Sequence, residues 1–137
     1  ISERDAQRGQ VYVMQADGTQ QIQLTNEPVW DFEPAWSPDG SRIAFESGCV
    51  DVLYGGRQSI YIIQADGSGR VHMPIPAGIY SDVFSSEIQP SWSPDSSRIA
   101  FAHGFYKGGG VYIVNLDGSG YSYFGFSLDS APSWAPR

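Results

Sequence analysis

The sequence predicts an all-β protein made of β-propeller blades, about three to the chain, each a sheet of four antiparallel strands. A twelve-residue motif occurs at Pro34–Phe45 and again at Pro90–Phe101, and a third copy starts at Pro132–Arg137. A second motif alternates with the first and ends each time in Asp-Gly: Val11–Gly18, Ile60–Gly67 and Val111–Gly118. Periods in the forties to fifties, with turn residues inside each unit, are typical of propeller blades.

The composition agrees with this fold and excludes several functions. Charged residues make up 17% of the chain and aromatic residues 14%, with 16 Gly and 9 Pro, as expected for short strands joined by tight turns. The net charge of −7 would repel phosphate backbones, so no nucleic acid partner is expected. Cys49 is the only cysteine, which excludes an intrachain disulfide. No apolar run is long enough for membrane insertion.

The first two predicted strands are Val11–Met14 and Gln21–Leu24, joined by the turn Asp17-Gly18. Asp-Gly between strands supplies the positive φ angles that a tight hairpin needs. The first strand and its copies at 60–63 and 111–114 are apolar on both faces, which predicts strands covered on both sides. The more variable strand after each copy is predicted to be the outer edge of its blade.

A linker over 25–33 is predicted to lead into a short inner strand, Pro34–Trp36. The next four residues, Ser37–Gly40, have the composition of a type I turn that continues into a hairpin. In the second copy Ser96 replaces Gly40. If this position needs a positive φ, replacing Ser96 by Gly should stabilise the fold by about 0.5–1 kcal/mol.

The return strand is predicted over Arg42–Glu46. Its large side chains, Ile43 and Phe45, point to one side, and the small Ala44 points to the other. This pattern lets neighbouring sheets pack face to face.

We therefore expect one domain over residues 1–137, with complete blades at 33–74 and 89–125. A third blade is split between 1–25 and 131–137 and lacks its second strand. Three blades do not close a ring and leave apolar sheet faces exposed. Two interpretations stay open: two chains form a six-bladed ring head to tail, or the chain is a fragment of a longer propeller.

The motifs at Trp36–Gly40, Ile43–Phe45 and Ile60–Gly67 resemble the TolB-like β-propeller repeat, and the resemblance covers essentially the whole chain. It implies a binding platform, most often six-bladed, in the periplasm or outside the cell. Some members carry a peptidase domain, which this sequence does not contain. The chain begins at Ile1 rather than Met, which agrees with removal of an upstream piece and any targeting signal.

The long, variable loops are predicted to emerge together on one face of the propeller and to bind a protein or peptide. Aromatic side chains on variable loops over a rigid scaffold are typical of binding faces. The predicted binding residues are Trp30, Asp31, Phe32, Asp51, Tyr54, Tyr80, Asp82, Phe84, Phe105 and Tyr106. Alternatively, several of these side chains cap the blades or pack between chains, which would make the protein a structural multimerisation unit.

A glycan-binding or glycan-hydrolysing role is the other alternative. Aromatic rings would then stack on sugars, and two carboxylates about 5–10 Å apart would act on the bond. The rings would come from Trp30, Tyr54, Tyr80 and Tyr106, and the carboxylates from Asp31, Glu33, Asp51, Asp82 and Glu87.

No catalytic, cofactor or metal motif is present in the sequence. Asp39, Asp66 and Asp117 lie beside Gly or Ser and are predicted to serve their turns, and no EF-hand pattern occurs. His72 and His103 fall on different strands and are predicted to be structural or solvated. The repeated tryptophans are predicted to be packing residues.

Overall fold

Two four-stranded antiparallel sheets make up most of this computed structural model, which describes residues 8–48, 58–74, 86–104, 109–126 and 132–135. All regular structure in these ranges is β, and none of it is a helix that could cross a membrane. The strands are β1 (Tyr12–Val13), β2 (Ile22–Gln23), β3 (Trp30–Trp36), β4 (Arg42–Gly48), β5 (Gln58–Gln64), β6 (Val71–His72), β7 (Ser86–Trp92), β8 (Arg98–Gly104), β9 (Gly109–Asn115) and β10 (Tyr121–Phe126).

Each four-stranded sheet is one propeller blade, as predicted. Blade one has the order β3-β4-β5-β6 and blade two the order β7-β8-β9-β10, with every neighbouring pair antiparallel. The turns that connect the third and fourth strands of each blade contain glycines with positive φ, Gly67 and Gly118. The variable strands β6 and β10 lie at the sheet edges, which confirms the prediction of outer strands.

The inner strand of each blade begins four residues earlier than predicted. β3 starts at Trp30 and β7 at Ser86, so the prediction of a linker over 25–33 is wrong from Trp30 onward. Each strand contains an irregularity in register, at which Glu33 and Gln89 have φ angles of 50° and 58°. A bulge leaves the following proline out of the ladder, which is why these strands continue through a residue that usually ends a strand.

The main hydrophobic core lies between the two blades. Ala44, Ile60 and Ile62 of blade one pack against Ile99 and Phe101 of blade two. A second cluster joins the opposite face of blade one, through Ile43, Phe45 and Ile63, to Val11 near the N-terminus. The alternation of small and large side chains on β4 therefore serves two interfaces, as the sequence predicted.

The strand that carries the second motif is buried on both faces in blade one but not in its first copy. In β5, Ile60, Ile62 and Ile63 are all buried. In the first copy, Tyr12 and Met14 are 57% and 60% exposed, so the prediction that this strand is covered on both sides is wrong. The reason is that β1 and β2 form a separate two-stranded sheet that packs on blade one alone.

The tryptophans of the second and third motif copies tie each blade to the one before it. The Trp92 Nε1–H donates to the Ala35 carbonyl at 2.9 Å, and the Trp134 Nε1–H donates to the Ser91 carbonyl at 3.1 Å. The guanidinium groups of Arg42 and Arg98 each lie 5.1 Å from the centroid of these tryptophan rings. Trp92 and Trp134 are packing residues, as predicted, but Trp36 is 49% exposed, so the prediction is wrong for the first copy.

The hairpin turn between the first two strands of each blade has the predicted form. The N–H groups of Gly40 and Ser96 donate to the carbonyls of Ser37 and Ser93 at 2.8 and 2.9 Å. Both residues have positive φ, 71° at Gly40 and 58° at Ser96. Ser96 also accepts a hydrogen bond from the Asp39 N–H at 3.2 Å, and this bond joins the two blades.

Replacing Ser96 by glycine is therefore expected to change the free energy of unfolding by less than about 0.5 kcal/mol. Relief of the positive φ contributes about 0.5–1 kcal/mol, and loss of the inter-blade hydrogen bond removes about as much. Urea denaturation would measure the difference. A stabilisation above about 1 kcal/mol would mean that the hydrogen bond contributes nothing. The matched control, Gly40→Ala, has open space at its Cβ and should show only the φ penalty.

Candidate binding face

The short turns gather at one end of the blades. The Ala65 N–H donates to the Ser41 carbonyl at 2.9 Å in blade one, and the Leu116 N–H donates to the Ser97 carbonyl at 3.2 Å in blade two. The opposite end carries the segments that flank the long loops, as predicted from the strand order. Variable sequence is thus concentrated at one end.

A surface cavity of about 490 Å³ opens at this loop end of blade one. It lies between the linker that enters β3 and the facing ends of β4 and β5, and Tyr61 of β5 and Arg70, just before β6, also line it. Its lining residues are Glu27, Val29, Ser47, Gly48, Ser59, Tyr61 and Arg70.

Arg70 organises one wall of this cavity. Its Nη1 and Nη2 atoms lie 3.2 and 3.4 Å from the Asp31 carboxylate oxygens, and Nη2 donates to the Ser47 hydroxyl at 2.6 Å. The guanidinium carbon lies 5.1 and 4.6 Å from the ring centroids of Phe45 and Tyr61. We call these five residues the Arg70 cluster. A guanidinium with carboxylate, hydroxyl and aromatic partners is held in one orientation, so this wall is rigid.

The structure places three of the predicted binding residues. Trp30 is 36% exposed at the start of β3, opposite Gly48, and Phe32 is half-buried. Asp31 is buried against Arg70, so the prediction that it lies on an exposed loop is wrong. The other seven lie outside the described residues: Asp51, Tyr54, Tyr80, Asp82, Phe84, Phe105 and Tyr106.

Asp31 and Glu87 occupy the same position of the repeat, three residues before the bulge proline. Both are buried, at 2% and 1% exposure. In blade two, a carboxylate oxygen of Glu87 accepts the Ile60 N–H of blade one at 3.0 Å. An acidic residue at the same position of both blades indicates a structural role. Because both carboxylates are buried in contacts within the protein, neither is available to act on a glycan.

Glu46 forms a second contact between the blades. Its carboxylate accepts the Gln89 N–H at 2.7 Å. Burial raises the pKa of Glu46, and the nearby charge of Glu33 adds to this effect, while the Gln89 hydrogen bond lowers it. Glu46 and Glu87 thus satisfy backbone donors in the neighbouring blade.

The aspartates at the short-turn end serve their turns, as predicted. The carboxylates of Asp39, Asp66 and Asp117 each accept the backbone N–H of the residue two positions later, at 2.8–3.0 Å. In the part of the chain that the structure describes, no group of three His, Cys, Asp or Glu side chains could hold a metal ion.

The two histidines belong to different blades. His72 lies on the outer strand β6, 5.2 Å from the Tyr61 ring, and His103 lies near the end of β8, 5.5 Å from the Tyr112 ring. Burial lowers the pKa of His103. Each imidazole packs on the tyrosine of its own sheet, in agreement with the predicted structural role.

Asp39 is expected to titrate near pH 2 in the folded protein. A hydrogen bond from the Ser37 hydroxyl, followed by those from Ser41, lowers its pKa from 3.8 to about 2. Its contribution to stability is therefore present above about pH 4 and is lost as the pH falls toward 2. NMR titration of the carboxyl carbon would measure this pKa. In Ser37→Ala the pKa should move back toward 3.8, and a wild-type value near 3.8 would contradict the prediction.

Comparison with known proteins identifies the repeat. The profile of the TolB beta propeller domain family matches residues 1–137. A TolB homolog of Chlorobium luteolum is 30% identical in an alignment 144 residues long, gaps included, that covers 78% of this chain and 31% of that protein. The chain thus spans about a third of the length of this curated relative.

Solved structures show the same fold. A TolB structure from Agrobacterium tumefaciens has a TM-score of 0.64 and 22% identity, over 85% of this chain and 42% of that one. TolB from Acinetobacter baumannii has a TM-score of 0.60 and 21% identity, over 82% and 25% of the two chains. An oligogalacturonate lyase is also similar in fold, with a TM-score of 0.56 and 17% identity, over 80% and 28%.

Proposed function

Because this chain belongs to the TolB beta propeller domain family, we propose that it is a non-catalytic scaffold whose loop end binds a protein or peptide. The observation that carries the proposal is the cavity at that end, one wall of which is held by the Arg70 cluster. Trp30 follows Val29 and lies opposite Gly48, two residues that line the cavity, and it is partly exposed on a strand rather than on a loop. A rigid wall with an exposed aromatic ring offers contact area at low cost in conformational entropy.

A peptide-display selection against the 137-residue chain would test this proposal. Peptides selected on the wild type should bind Trp30→Ser about tenfold more weakly, because aromatic anchors contribute most of the energy of such contacts. The matched control is Val71→Ser, which removes an exposed apolar side chain from the outer edge of the same blade. Equal binding to all three proteins would overturn the proposal, provided that their melting temperatures agree.

We also propose that two copies form a six-bladed ring head to tail. Trp92 and Trp134 each bind an inner-strand carbonyl of the preceding blade, whereas Trp36 is 49% exposed. In the ring, Trp36 of one copy would donate to the Ser133 carbonyl of the other, since Ser133 is equivalent to Ala35 and Ser91. The partner strand would thereby restore the repeated contact.

Light scattering over a tenfold concentration range tests the ring. A stable dimer that Trp36→Ala converts to monomer is the expected result. A wild-type monomer at micromolar concentration would overturn the ring and leave the fragment interpretation. The location that we propose, the periplasm or the cell exterior, rests on the family alone, and cell fractionation would test it.

A further inference from the structure

The outer strands of the two blades, β6 and β10, differ in length and composition although they follow the same motif. β6 comprises only Val71–His72 and is soon followed by Pro74. β10 runs for six residues, Tyr121–Phe126, with no proline and no charged side chain. Exposed edge strands usually contain proline or charged residues, because an edge without them pairs with other extended chains. In the described structure, β10 lies at the edge of its sheet with only β9 beside it.

The same strand carries half-exposed aromatic rings. Tyr121 and Tyr123 are each 52% exposed on one face of the sheet, and Phe124 is 50% exposed on the other. The ring centroids of Tyr121 and Tyr123 lie 5.9 and 4.7 Å from that of Tyr112, which in turn stacks on the buried Phe101 at 5.7 Å.

Two glycines hold the Tyr123 ring against the sheet. A Cβ atom at Gly110 would collide with the ring, and one at Gly125 would lie 2.9 Å from the Tyr123 hydroxyl oxygen. The ring therefore lies flat across β9 and β10. The aromatic surface beside the edge is thus positioned by the fold before any partner binds.

Charge indicates what kind of strand this edge would accept. The chain has a net charge of −7, so a basic partner is attracted. The exposed Asp117 lies in the turn that leads into β10, and the hydrogen bonds from Ser119 lower its pKa, which keeps it ionised.

Blade one contains a cation–π contact at the position equivalent to these rings. The Arg70 guanidinium lies 4.6 Å from the centroid of Tyr61, which is the blade-one equivalent of Tyr112. In blade two the position of Arg70 is taken by Tyr121, so this sheet has an additional ring where blade one has its cation. A guanidinium or ammonium group over an aromatic face is stabilised by the ring quadrupole.

We propose that β10 accepts an extended basic peptide as a fifth strand of blade two, with alternate Arg or Lys side chains over Tyr121 and Tyr123. Side chains at alternate positions of a strand point to one face, which matches the spacing of the two rings. This site is on the outer edge of blade two and is separate from the loop end of blade one.

The probe is a capped heptapeptide, Arg-Thr-Arg-Thr-Arg-Thr-Arg, titrated into the 137-residue chain and followed by calorimetry. Saturable binding in the range of about 10–100 µM is expected. Ser122→Lys places a charge on the edge and should weaken binding about tenfold. The matched control is Val71→Lys, at the equivalent position of β6, which should change binding by less than about twofold because that edge is too short.

A second peptide separates strand pairing from charge attraction. The same sequence with every backbone amide N-methylated keeps every charge but loses all strand-pairing donors, so it should bind at least about tenfold more weakly. Equal binding of the two peptides, or no saturable binding of the first, would overturn the proposal. Concentration-dependent dimerisation that Ser122→Lys abolishes would also overturn it, because the edge would then belong to a second copy.

This test is independent of the function proposed for the loop end. Trp30→Ser should leave the heptapeptide affinity unchanged within about twofold, since Trp30 lies in the other blade. Ser122→Lys should likewise leave binding of loop-end peptides unchanged. Failure of one site is thereby distinguishable from failure of the other.

Discussion

Replacing Arg70 by alanine is expected to lower the free energy of unfolding by about 3 kcal/mol, because it leaves the buried Asp31 carboxylate without its counter-ion. The Asp31 side chain is fully buried and that of Arg70 is 20% exposed, so water cannot fully replace the lost contact. The substitution also removes the guanidinium from Phe45 and Tyr61 and the hydrogen bond to Ser47. Urea denaturation of the 137-residue chain would measure the loss.

A double-mutant cycle with Asp31→Ala would separate the ion pair from the packing. Removing both charges should be less destabilising than the sum of the single changes, with a coupling energy of about 1–3 kcal/mol. Tyr121→Ala is the matched control, since Tyr121 holds the equivalent position in blade two and is half exposed, so it should lower stability by less than about 1 kcal/mol. A loss below about 1 kcal/mol for Arg70→Ala would contradict the structural role of the cluster.

Replacing Trp92 by alanine is expected to be more damaging still, with a loss of about 3–5 kcal/mol, because a large buried ring leaves a cavity between the blades. Trp92 is 6% exposed and belongs to the main core. The change also removes the hydrogen bond to the Ala35 carbonyl and the contact of the Arg42 guanidinium with the ring.

Trp36→Ala is the natural control, because Trp36 holds the same position of the repeat but is 49% exposed. In dilute monomer it should lower stability by less than about 1 kcal/mol. Equal losses for the two variants would contradict the description of Trp92 as the tie between the blades. Measurements below the concentration of any dimer keep the comparison free of association.

Local signals were sufficient for the turns of the blades and the order of their strands, but not for the starts of β3 and β7. Alternating side chains around Ala44 predicted the two interfaces of β4, and Asp-Gly or Ser-Pro-Asp turns predicted where the chain reverses. These signals depend on neighbouring residues only. The start of β3 was missed because Pro34 was interpreted as the beginning of a strand, whereas the bulge at Glu33 carries the strand through it.

The candidate site was less accessible to sequence reasoning. Trp30 and Asp31 were both expected on an exposed loop, whereas both lie on β3, with Trp30 partly exposed and Asp31 buried. Adjacent residues of a strand point to opposite faces of the sheet. Since Trp30 and Asp31 both lie on β3, their side chains cannot share one exposed face. The repeated acid at Glu87 was the available sign that this position is structural.

The sequence by itself determined the blade as the unit of structure, the order of its strands and the family to which the chain belongs. Period, turn composition and strand patterning act over a few residues and recur in each repeat, so they can be recognised without coordinates. Only the tertiary structure decided that Asp31 pairs with Arg70, 39 residues away, that Ser96 joins the two blades, and that Trp36 is exposed whereas Trp92 is buried. These outcomes depend on which distant side chains meet when one sheet packs on another, and a repeated motif does not specify its neighbours.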